Sequence, residues 1–408
     1  LWNRNITLHI RIEDPCGNRL CVEAPIYVDT QPPEIHVCSS VANNTATNNN
    51  VTVRWAVSDV CPVNVSVLLF GPVEMASSSA VGDFSVGWEG YYEFFVYACD
   101  VMGNANTYVL VFWIDKTPPM IYFGNPYGDE TWTSSRAMNI SFCVSDNFGS
   151  LAVNLTVKSA EGTSIGSYFW ATNSCALEIS VLYVFPGDGL YVIMLYASDS
   201  AGNMNVATRY VYVDTEPPRI HVYSPQNSTY YGSAEIAIDL EIYDENLGGY
   251  LILLDGDELS GTISNGTVKT LIDADLGDGE HILYVYAGDR AGNYVELRII
   301  FYVDTEAPQI TVVSPIHSHY YNNSEIAVNI SIYDPNLAEY AVCINGTPLG
   351  DLNAVVYLEN GAYILLVSAT DRAGNYNETE IIFYVDTEPP TISISSPIHN
   401  ATYSSSIS

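Results

Sequence analysis

Aspartate recurs in this 408-residue chain at a fixed spacing that could bring oxygen ligands together around a cation. The motif Asp-x-x-Gly-Asn occurs five times, and a second Asp follows 15 positions after the first. The pairs are Asp14/Asp29, Asp100/Asp115, Asp199/Asp214, Asp289/Asp304 and Asp371/Asp386. In such a motif Asp can cap backbone N–H groups of a tight turn, and Gly supplies the positive φ that closes a hairpin. A spacing kept while the intervening lengths vary indicates one structural element repeated in a tandem array.

The residues around each motif alternate in a way that predicts β-strands. Runs such as Tyr191–Ala197 and His281–Ala287 place β-branched and aromatic residues at every second position before the turn. No segment shows a convincing period of 3.6 residues. Tyr92, Tyr191 and Tyr363 each lie eight positions before a turn Asp and predict a tyrosine corner, whose hydroxyl bonds backbone across an inter-sheet loop. His281 at the same place in the third complete repeat weakens that prediction.

Roughly seven short strands per repeat are typical of an immunoglobulin-like sandwich. The predicted fold class is therefore all-β, a tandem array of immunoglobulin-like β-sandwich domains. The expected boundaries are 1–29 for the C-terminal strands of an incomplete domain, 30–115, 116–214, 215–304 and 305–386 for complete domains, and 387–408 for the start of a further one.

Both ends are incomplete against the repeat, so we expect a piece of a longer chain. An alternative stays open, in which Thr391–Ser395 acts as a first strand that completes the sandwich of a neighbouring subunit by strand donation.

Composition and motif content exclude several functional classes. The chain has 13 Lys plus Arg against 47 Asp plus Glu, a net charge of −34 that repels nucleic acid and anionic membranes. No apolar stretch is long enough to cross a bilayer, so no direct membrane insertion is expected in this segment. The seven His are scattered without a matched nucleophile and acid, and His317-x-His319 is only a weak zinc pattern. We expect no enzyme activity.

Carboxylates are predicted to converge where one repeat follows another. In an immunoglobulin-like sandwich, the loop after the second strand and the last turn lie at the pole that receives the incoming linker. This predicts four acidic sets: the first is Asp29, Asp59 and Asp100, the second Asp115, Asp146 and Asp199, the third Asp214, Asp244 and Asp289, and the fourth Asp304, Asp334 and Asp371. Three carboxylates at 4 Å repel by about 4 kcal/mol per pair near a surface, and Ca²⁺ with its six to eight oxygen ligands would remove that repulsion.

The alternative gives each carboxylate a separate local role, such as a turn cap for Asp289 and a strand end for Asp244. Lys116 stands beside Asp115 where the other linkers have Thr, so we expect the second set to be the most doubtful cation site.

Sequons and cysteines suggest export. Thirteen Asn-x-Ser/Thr sequons predict N-linked glycans, at Asn5, Asn43, Asn50, Asn64, Asn139, Asn154, Asn227, Asn265, Asn322, Asn329, Asn345, Asn377 and Asn400. The alternative is that a chain rich in Asn, Ser and Thr makes sequons by chance. Six cysteines are candidates for disulfides, with their connectivity left open. Cys61 and Cys99 would lie at one pole of their repeat, Cys143 and Cys175 on strands that could be neighbours, and Cys16 and Cys21 on either side of a turn, whereas Cys38 and Cys343 have no evident partner.

Ala287–Asn293 followed by Val303–Pro308 resembles the tandem immunoglobulin-like repeats of prokaryotic surface proteins, including giant bacterial adhesins and archaeal cell-surface and S-layer proteins. The Ser-Pro-x-x-x-x-Tyr-Tyr loop and Tyr333–Leu337 resemble the archaeal versions, and the resemblance covers essentially the whole chain.

The resemblance implies an extracellular cell-surface location and Ca²⁺ at the junctions. We therefore expect a structural protein: a rigid rod of repeats that self-associates into a surface layer or filament. The alternatives are the stalk of an adhesin whose binding tip lies outside this segment and, third, an accessory region of a secreted hydrolase.

Overall fold

The computed structural model describes residues 4–264, 267–395, 399–400 and 402, and within these ranges every regular element is a β-strand. The chain divides into two compact units, Leu1–Thr215 and Glu216–Ser408. The described residues contain no helix that is long and apolar enough to cross a membrane.

The first unit begins with a two-stranded antiparallel sheet formed by β1 (Arg4–Glu13) and β2 (Arg19–Val28). The first Asp-x-x-Gly-Asn motif makes the turn between them, and Gly17 has a φ of 89° there. Apolar side chains share one side of the sheet, where Ile10 is opposite Val22 and Ile12 is opposite Leu20, and all four are exposed.

The first sandwich of this unit follows the hairpin. Its strands are β3 (Glu34–Ser39), β4 (Thr45–Thr47), β5 (Val51–Ser58), β6 (Val63–Phe70), β7 (Met75–Ser77), β8 (Val81–Val86), β9 (Gly90–Asp100) and β10 (Ala105–Ile114). One sheet has the order β3-β5-β8 and the other the order β4-β10-β9-β6-β7. The strand β4 runs parallel to β10, and the other pairs are antiparallel. Every second residue of β5 and β9 is buried, so Trp55 and Phe94 meet in the core between the sheets.

The second sandwich has the same plan. Its strands are β11 (Met120–Asn125), β12 (Glu130–Thr133), β13 (Ala137–Ser145), β14 (Leu151–Ser159), β15 (Ser164–Thr172), β16 (Ala176–Val184), β17 (Gly189–Asp199) and β18 (Met204–Val213). The sheets have the orders β11-β13-β16 and β12-β18-β17-β14-β15. Its core includes Phe142, Leu155, Phe185 and Ile193, all buried.

The third sandwich opens the second unit. Its strands are β19 (Arg219–Ser224), β20 (Tyr230–Tyr231), β21 (Glu235–Tyr243), β22 (Leu247–Leu254), β23 (Asp257–Glu258), β24 (Thr262–Ser264), β25 (Thr267–Asp275), β26 (Gly279–Asp289) and β27 (Tyr294–Val303). The sheets have the orders β19-β21-β25-β24 and β20-β27-β26-β22-β23 around a core that contains Leu283 and Phe301.

The fourth sandwich completes the described strands. They are β28 (Gln309–Ser314), β29 (Tyr320–Tyr321), β30 (Glu325–Tyr333), β31 (Leu337–Ile344), β32 (Thr347–Pro348), β33 (Asn353–Tyr357), β34 (Gly361–Asp371) and β35 (Tyr376–Val385), in the orders β28-β30-β33 and β29-β35-β34-β31-β32. Residues 391–395, expected to be a strand, have no regular secondary structure, and no strand of the described residues pairs with them.

The shared arrangement of the sheets confirms the predicted all-β, immunoglobulin-like fold. In each sandwich the two long strands joined by the Asp-x-x-Gly-Asn turn are central to the larger sheet, and the first strand pairs within the smaller one. The tyrosine corner is also confirmed, because the hydroxyls of Tyr92, Tyr191 and Tyr363 each donate to a carbonyl four residues earlier at 2.9 Å. His281 makes the same contact through Nε2 at 2.7 Å, so it preserves the corner and does not argue against it.

Candidate cation site at the module joints

The turn aspartates cap their own hairpins, as the local alternative predicted. Asp100 accepts hydrogen bonds on Oδ1 from the backbone N–H groups of Met102 and Asn104 at 2.8 and 2.9 Å. Its Oδ2 accepts from the side-chain amide of Asn104 at 2.8 Å. The other sandwiches repeat this arrangement. In each, the motif Asn donates to the turn Asp through its backbone N–H and its side-chain amide, and the acceptors are Asp199, Asp289 and Asp371.

The Asn of the motif also ties each turn to the linker that enters its module. Nδ2 of Asn203 donates to the carbonyl oxygen of Asp115 at 2.9 Å as well as to Oδ2 of Asp199 at 2.7 Å. Asn375 donates to the carbonyl of Asp304 at 2.6 Å. The motif therefore connects successive modules in addition to closing a turn, a role that the sequence analysis missed.

A second Asn, two positions after the first, holds the linker proline. Nδ2 of Asn205 donates to the carbonyl of Pro119 at 2.8 Å, and Asn377 contacts Pro308 in the same way at 2.8 Å. Because each Pro has a fixed φ, the linker is held both by its own stereochemistry and by side-chain donors from the following module.

The preceding module holds the linker from the other side, through what we call the loop–linker contact. The Asp278 carboxylate accepts from both the backbone N–H and the hydroxyl of Thr305, at 2.9 Å each. The pairs Asp188/Thr215 and Asn360/Thr387 repeat this arrangement at the same separation of 27 residues. The Thr donor recurs in all three contacts, whereas the acceptor is Asp in two of them and Asn in the third.

Two of the four predicted acidic sets come together in the structure. In the second set and in the fourth set, each Asp contributes an oxygen, and these oxygens lie within 4.8 Å of one another. At the first joint the corresponding group consists of Asp29, Asp59 and Cys61, so the prediction of Asp100 as a member is wrong. Asp100 is buried and uses both of its oxygens in its own turn, but Asp199 and Asp371 do the same, so this capping does not explain the difference. At the first joint the Cys61 thiol takes the third place in the group.

The third set stays a prediction. Asp214 belongs to the first unit, where its N–H donates to the carbonyl of Thr133. Asp244 and Asp289 belong to the second unit, where Oδ1 of Asp244 accepts from the N–H of Asn246 at 2.6 Å.

The second set contains buried carboxylate oxygens without a hydrogen-bond donor. Asp115 is only 3% exposed; its Oδ1 accepts from the N–H of Thr117 at 3.1 Å, whereas its buried Oδ2 has no partner. Oδ2 of Asp146 accepts from the N–H of Phe148, and its buried Oδ1 has no partner either. Burial raises the pKa of Asp115, and the negative charges of Asp146 and Asp199 raise it further. Burial, followed by the charge of Asp199, likewise raises the pKa of Asp146.

The residue two positions after the central Asp explains why the joints differ. In the fourth set this residue is Asn336, whose amide donates to Oδ2 of Asp304 at 2.6 Å. At the first joint it is Cys61, and its hydrogen bond to Asp29, followed by burial, raises the pKa of this thiol to about 11. In the second set it is Phe148, whose side chain has no polar donor and packs instead against Trp113 with ring centroids 5.6 Å apart. The second set therefore lacks the side-chain donor that the first and fourth joints have at this position.

Lys116 does not neutralise the second set. Its Nζ donates to the carbonyl of Gly87 at 2.7 Å and to Oδ1 of Asn50 at 3.2 Å. Lys116 thus gives no reason to expect a weaker cation site here.

The candidate disulfides do not occur in the structure, where all eight cysteines are free thiols. Cys143 lies opposite Glu178, three positions along the chain from Cys175, so the register separates this pair. Cys61 lies beyond the pairing of Val63 with Asp100 and points toward Asp29, away from Cys99. Cys16 is in the turn whereas Cys21 pairs with Arg11 on the strand.

Most of the described sequon asparagines are exposed. They are Asn43, Asn50, Asn64, Asn139, Asn154, Asn227, Asn322, Asn329, Asn345 and Asn400. Asn377 is half-buried, and its Nδ2, the atom that would carry a glycan, donates to the carbonyl of Pro308. Asn265 and the side chain of Asn5 lie outside the described residues.

In comparisons with known proteins, the chain is similar to solved multidomain β-proteins at low sequence identity. No protein-family model and no curated protein matches the chain. A tetra-tandem repeat from the extending region of a large adhesion protein is 17% identical with a TM-score of 0.38, and the match covers 87% of this chain and 99% of that one. The D1–D4 ectodomain fragment of ICAM-5 is 11% identical with a TM-score of 0.44, covering 87% and 100%. Fibronectin(III)-like modules of Clostridium thermocellum CbhA are 16% identical with a TM-score of 0.25, covering 44% and 94%. At these values the fold assignment rests on the sheet topology.

Proposed function

We propose that this chain is an extracellular structural protein whose immunoglobulin-like modules are held in fixed succession by their joints, as part of a cell-surface layer or filament. The observation that supports this role is that the linker between the third and fourth sandwiches is bound from both sides. Asp278 holds Thr305 from the preceding module, and Asn375 and Asn377 hold the carbonyls of Asp304 and Pro308 from the following one. Contacts of this kind limit bending at a joint, and resistance to bending is what a load-bearing or spacing protein requires.

We further propose that Ca²⁺ completes the joints. Ca²⁺ prefers hard oxygen ligands, and the second set offers three carboxylates, including two buried oxygens that lack donors. The fourth set is also built of carboxylates, although Asn336 already binds one oxygen of Asp304. A bound cation would replace repulsion between carboxylates by attraction to a shared charge.

The cation proposal is tested by calorimetric titration of the full chain with CaCl₂ after removal of metal by a chelator. Asp146→Asn removes a charge from the second set but keeps the side-chain shape, so it should remove at least one binding event. Asp83→Asn, which changes an exposed carboxylate on β8, is the matched control and should leave binding unchanged. Absence of heat and of any calcium-dependent change in unfolding temperature in the unaltered chain would refute the cation.

The structural role is tested separately, by small-angle scattering of the full chain and by electron microscopy of the native cell surface. A single maximum dimension in calcium, with regular contacts between copies on the cell, is expected for a layer or filament. Isolated rods with a distinct head would point instead to an adhesin stalk. A broad distribution of dimensions that calcium does not narrow would contradict fixed joints altogether.

The exposed sequons fit an extracellular location, and we propose that they carry N-linked glycans. Intact-mass and glycopeptide analysis of the native protein tests this. Unmodified peptides at all the exposed sites would contradict it.

A further inference from the structure

A histidine replaces the corner tyrosine in the third sandwich, and both of its ring nitrogens contact acceptors. The side chain of His281 is 12% exposed. Its Nδ1 lies 2.7 Å from Oδ2 of Asp255, and its Nε2 lies 2.7 Å from the carbonyl oxygen of Gly277. An ionised carboxylate and a carbonyl can only accept, so both contacts are hydrogen bonds only when both ring nitrogens carry a proton. The neutral ring has a single N–H and leaves one of these short contacts without a proton.

The fourth sandwich contains the same corner built from groups that stay neutral. Its Tyr363 hydroxyl donates to the equivalent carbonyl, four residues earlier, at 2.9 Å. Asn345 takes the place of Asp255: Oδ1 of Asn345 accepts from the N–H of Ile364 at 2.8 Å, as Oδ1 of Asp255 accepts from Ile282 at 2.8 Å. The third sandwich thus differs by two substitutions that together create an ion pair, and the fourth sandwich provides an internal reference.

Among the groups around His281, one charged side chain faces the ring, and it is Asp255 in the turn after β22. From β27 the ring of Phe301 approaches with its centroid 5.5 Å away. The loop between β25 and β26 contributes the Gly277 carbonyl, while the carboxylate of the adjacent Asp278 binds Thr305. Burial lowers the pKa of His281, but its hydrogen bonds to Asp255 and Gly277, with the Asp255 charge, outweigh burial and leave that pKa above its ordinary value.

We propose that His281 and Asp255 form a pH-sensitive clamp on the loop between β25 and β26, and that loss of the His281 proton as pH rises frees this loop. Gly277 precedes Asp278 directly, so the same loop carries the loop–linker contact to Thr305. Release of Gly277 therefore weakens the hold on the linker that leads into the fourth sandwich.

The sign of the effect follows from linkage between protonation and folding. Because the pKa of His281 is raised in the folded chain, the clamp contributes its full stability below the unfolded pKa and loses it as pH rises through the folded one. The third sandwich should therefore be better protected in mildly acidic than in alkaline solution.

Hydrogen exchange of the full chain between pH 5.5 and 8.5 tests the clamp. The measured quantity is the protection of the Ile282 amide, corrected for intrinsic exchange and divided by that of Ile364 in the fourth sandwich. We expect this ratio to fall with rising pH, by about tenfold for each unit by which the folded pKa of His281 exceeds the unfolded one, and protection of Thr305 to fall with it.

The matched variant combines His281→Tyr with Asp255→Asn and so copies the fourth sandwich. Its protection ratio should not change with pH. A constant ratio in the unaltered chain, or an unchanged slope in the double variant, would overturn the proposal. An NMR titration of the His281 ring in the unaltered chain provides a second measurement that needs no variant: a pKa above 6.5 supports the clamp, and a pKa at or below 6.5 refutes it.

Discussion

Replacing Asp115 by Asn should stabilise the second joint when no divalent cation is present and should remove the benefit of adding one. The substitution keeps the Oδ1 acceptor that binds the N–H of Thr117 and replaces the partnerless Oδ2 by an amide that can donate to Asp146. It also removes one of the three negative charges of the second set. Replacing one carboxylate oxygen by an amide nitrogen thus reduces the repulsion between carboxylates and also supplies the missing hydrogen-bond donor.

The size of this effect can be bounded from the geometry. Charges 4.8 Å apart repel by about 3.5 kcal/mol at an effective dielectric constant of ~20, and Asp115→Asn removes two such pairs. Protonating an ordinary Asp at pH 7 costs about 4 kcal/mol. If the repulsion in the native joint exceeded this cost, one Asp would take up a proton, so the cost is an upper limit on the repulsion. Dissolved salt screens the remainder, and we expect a local stabilisation of about 1–4 kcal/mol.

Hydrogen exchange in chelator is the appropriate assay because it reports local opening in a chain of several modules. Protection of the Thr117 and Phe148 amides should rise by roughly fivefold to several-hundred-fold in Asp115→Asn, as expected for a gain of about 1–4 kcal/mol. Asp83→Asn removes the same charge from an exposed site and should change neither amide. Unchanged or lower protection in Asp115→Asn, or a variant that still gains protection from calcium, would refute this reasoning about repulsion.

The second set also predicts a dependence on pH. The pKa values of Asp115 and Asp146 are raised in the folded chain, so without a cation the folded joint binds protons more tightly than the unfolded chain does. Stability at the joint should therefore be greatest in acid and decline as pH rises through the raised pKa values. Hydrogen exchange should be measured across this pH range both in chelator and in CaCl₂. We expect protection at the joint to decline with rising pH in chelator and to stay constant in CaCl₂. A joint that is more stable at neutral pH than in acid, in chelator, would contradict the sign.

Three further predictions concern the corner, the linker and the glycans. Tyr363→Phe removes the hydroxyl that donates to Glu359 and should cost the fourth sandwich about 1 kcal/mol in denaturant unfolding; no loss would mean that the corner is not stabilising. Thr305→Val removes the hydroxyl that donates to Asp278 but keeps the N–H contact, so local exchange at the linker should rise by about twofold to tenfold while the sandwich cores stay unchanged. Asn377 should be unglycosylated in native protein because its amide holds a proline carbonyl, and a glycopeptide at that site would show that this contact is dispensable.

The periodic features of the sequence predicted the fold because they act locally. Alternation of apolar residues along a strand such as Tyr191–Ala197 reflects burial on one side, and the Gly of each motif reflects a turn that needs positive φ. These signals predicted the strands, the turns and the tyrosine corner. The second and fourth acidic sets were also predictable, since the fold places the loops that carry them at one pole.

The remaining features depend on which side-chain atoms contact one another, and the spacing of residues along the sequence does not determine those contacts. Asp100 was predicted to join Asp29 and Asp59, but the thiol of Cys61 takes its place in the first group. Cys143 and Cys175 lie near adjacent strands, yet the register separates them. The loop–linker contact recurs at a constant separation of 27 residues, which the sequence could have revealed, but its acceptor changes between Asp278 and Asn360.

The donors and acceptors that fix a linker belong entirely to the repeat on either side of it. Thr305 is bound by the repeat before it, and the carbonyl of Asp304 by the repeat after it. A gene that duplicates one whole repeat would therefore place the same donor and acceptor positions at the new boundary. An insertion within a linker, by contrast, would separate Thr305 from Asp304 and so disturb contacts to two repeats at once.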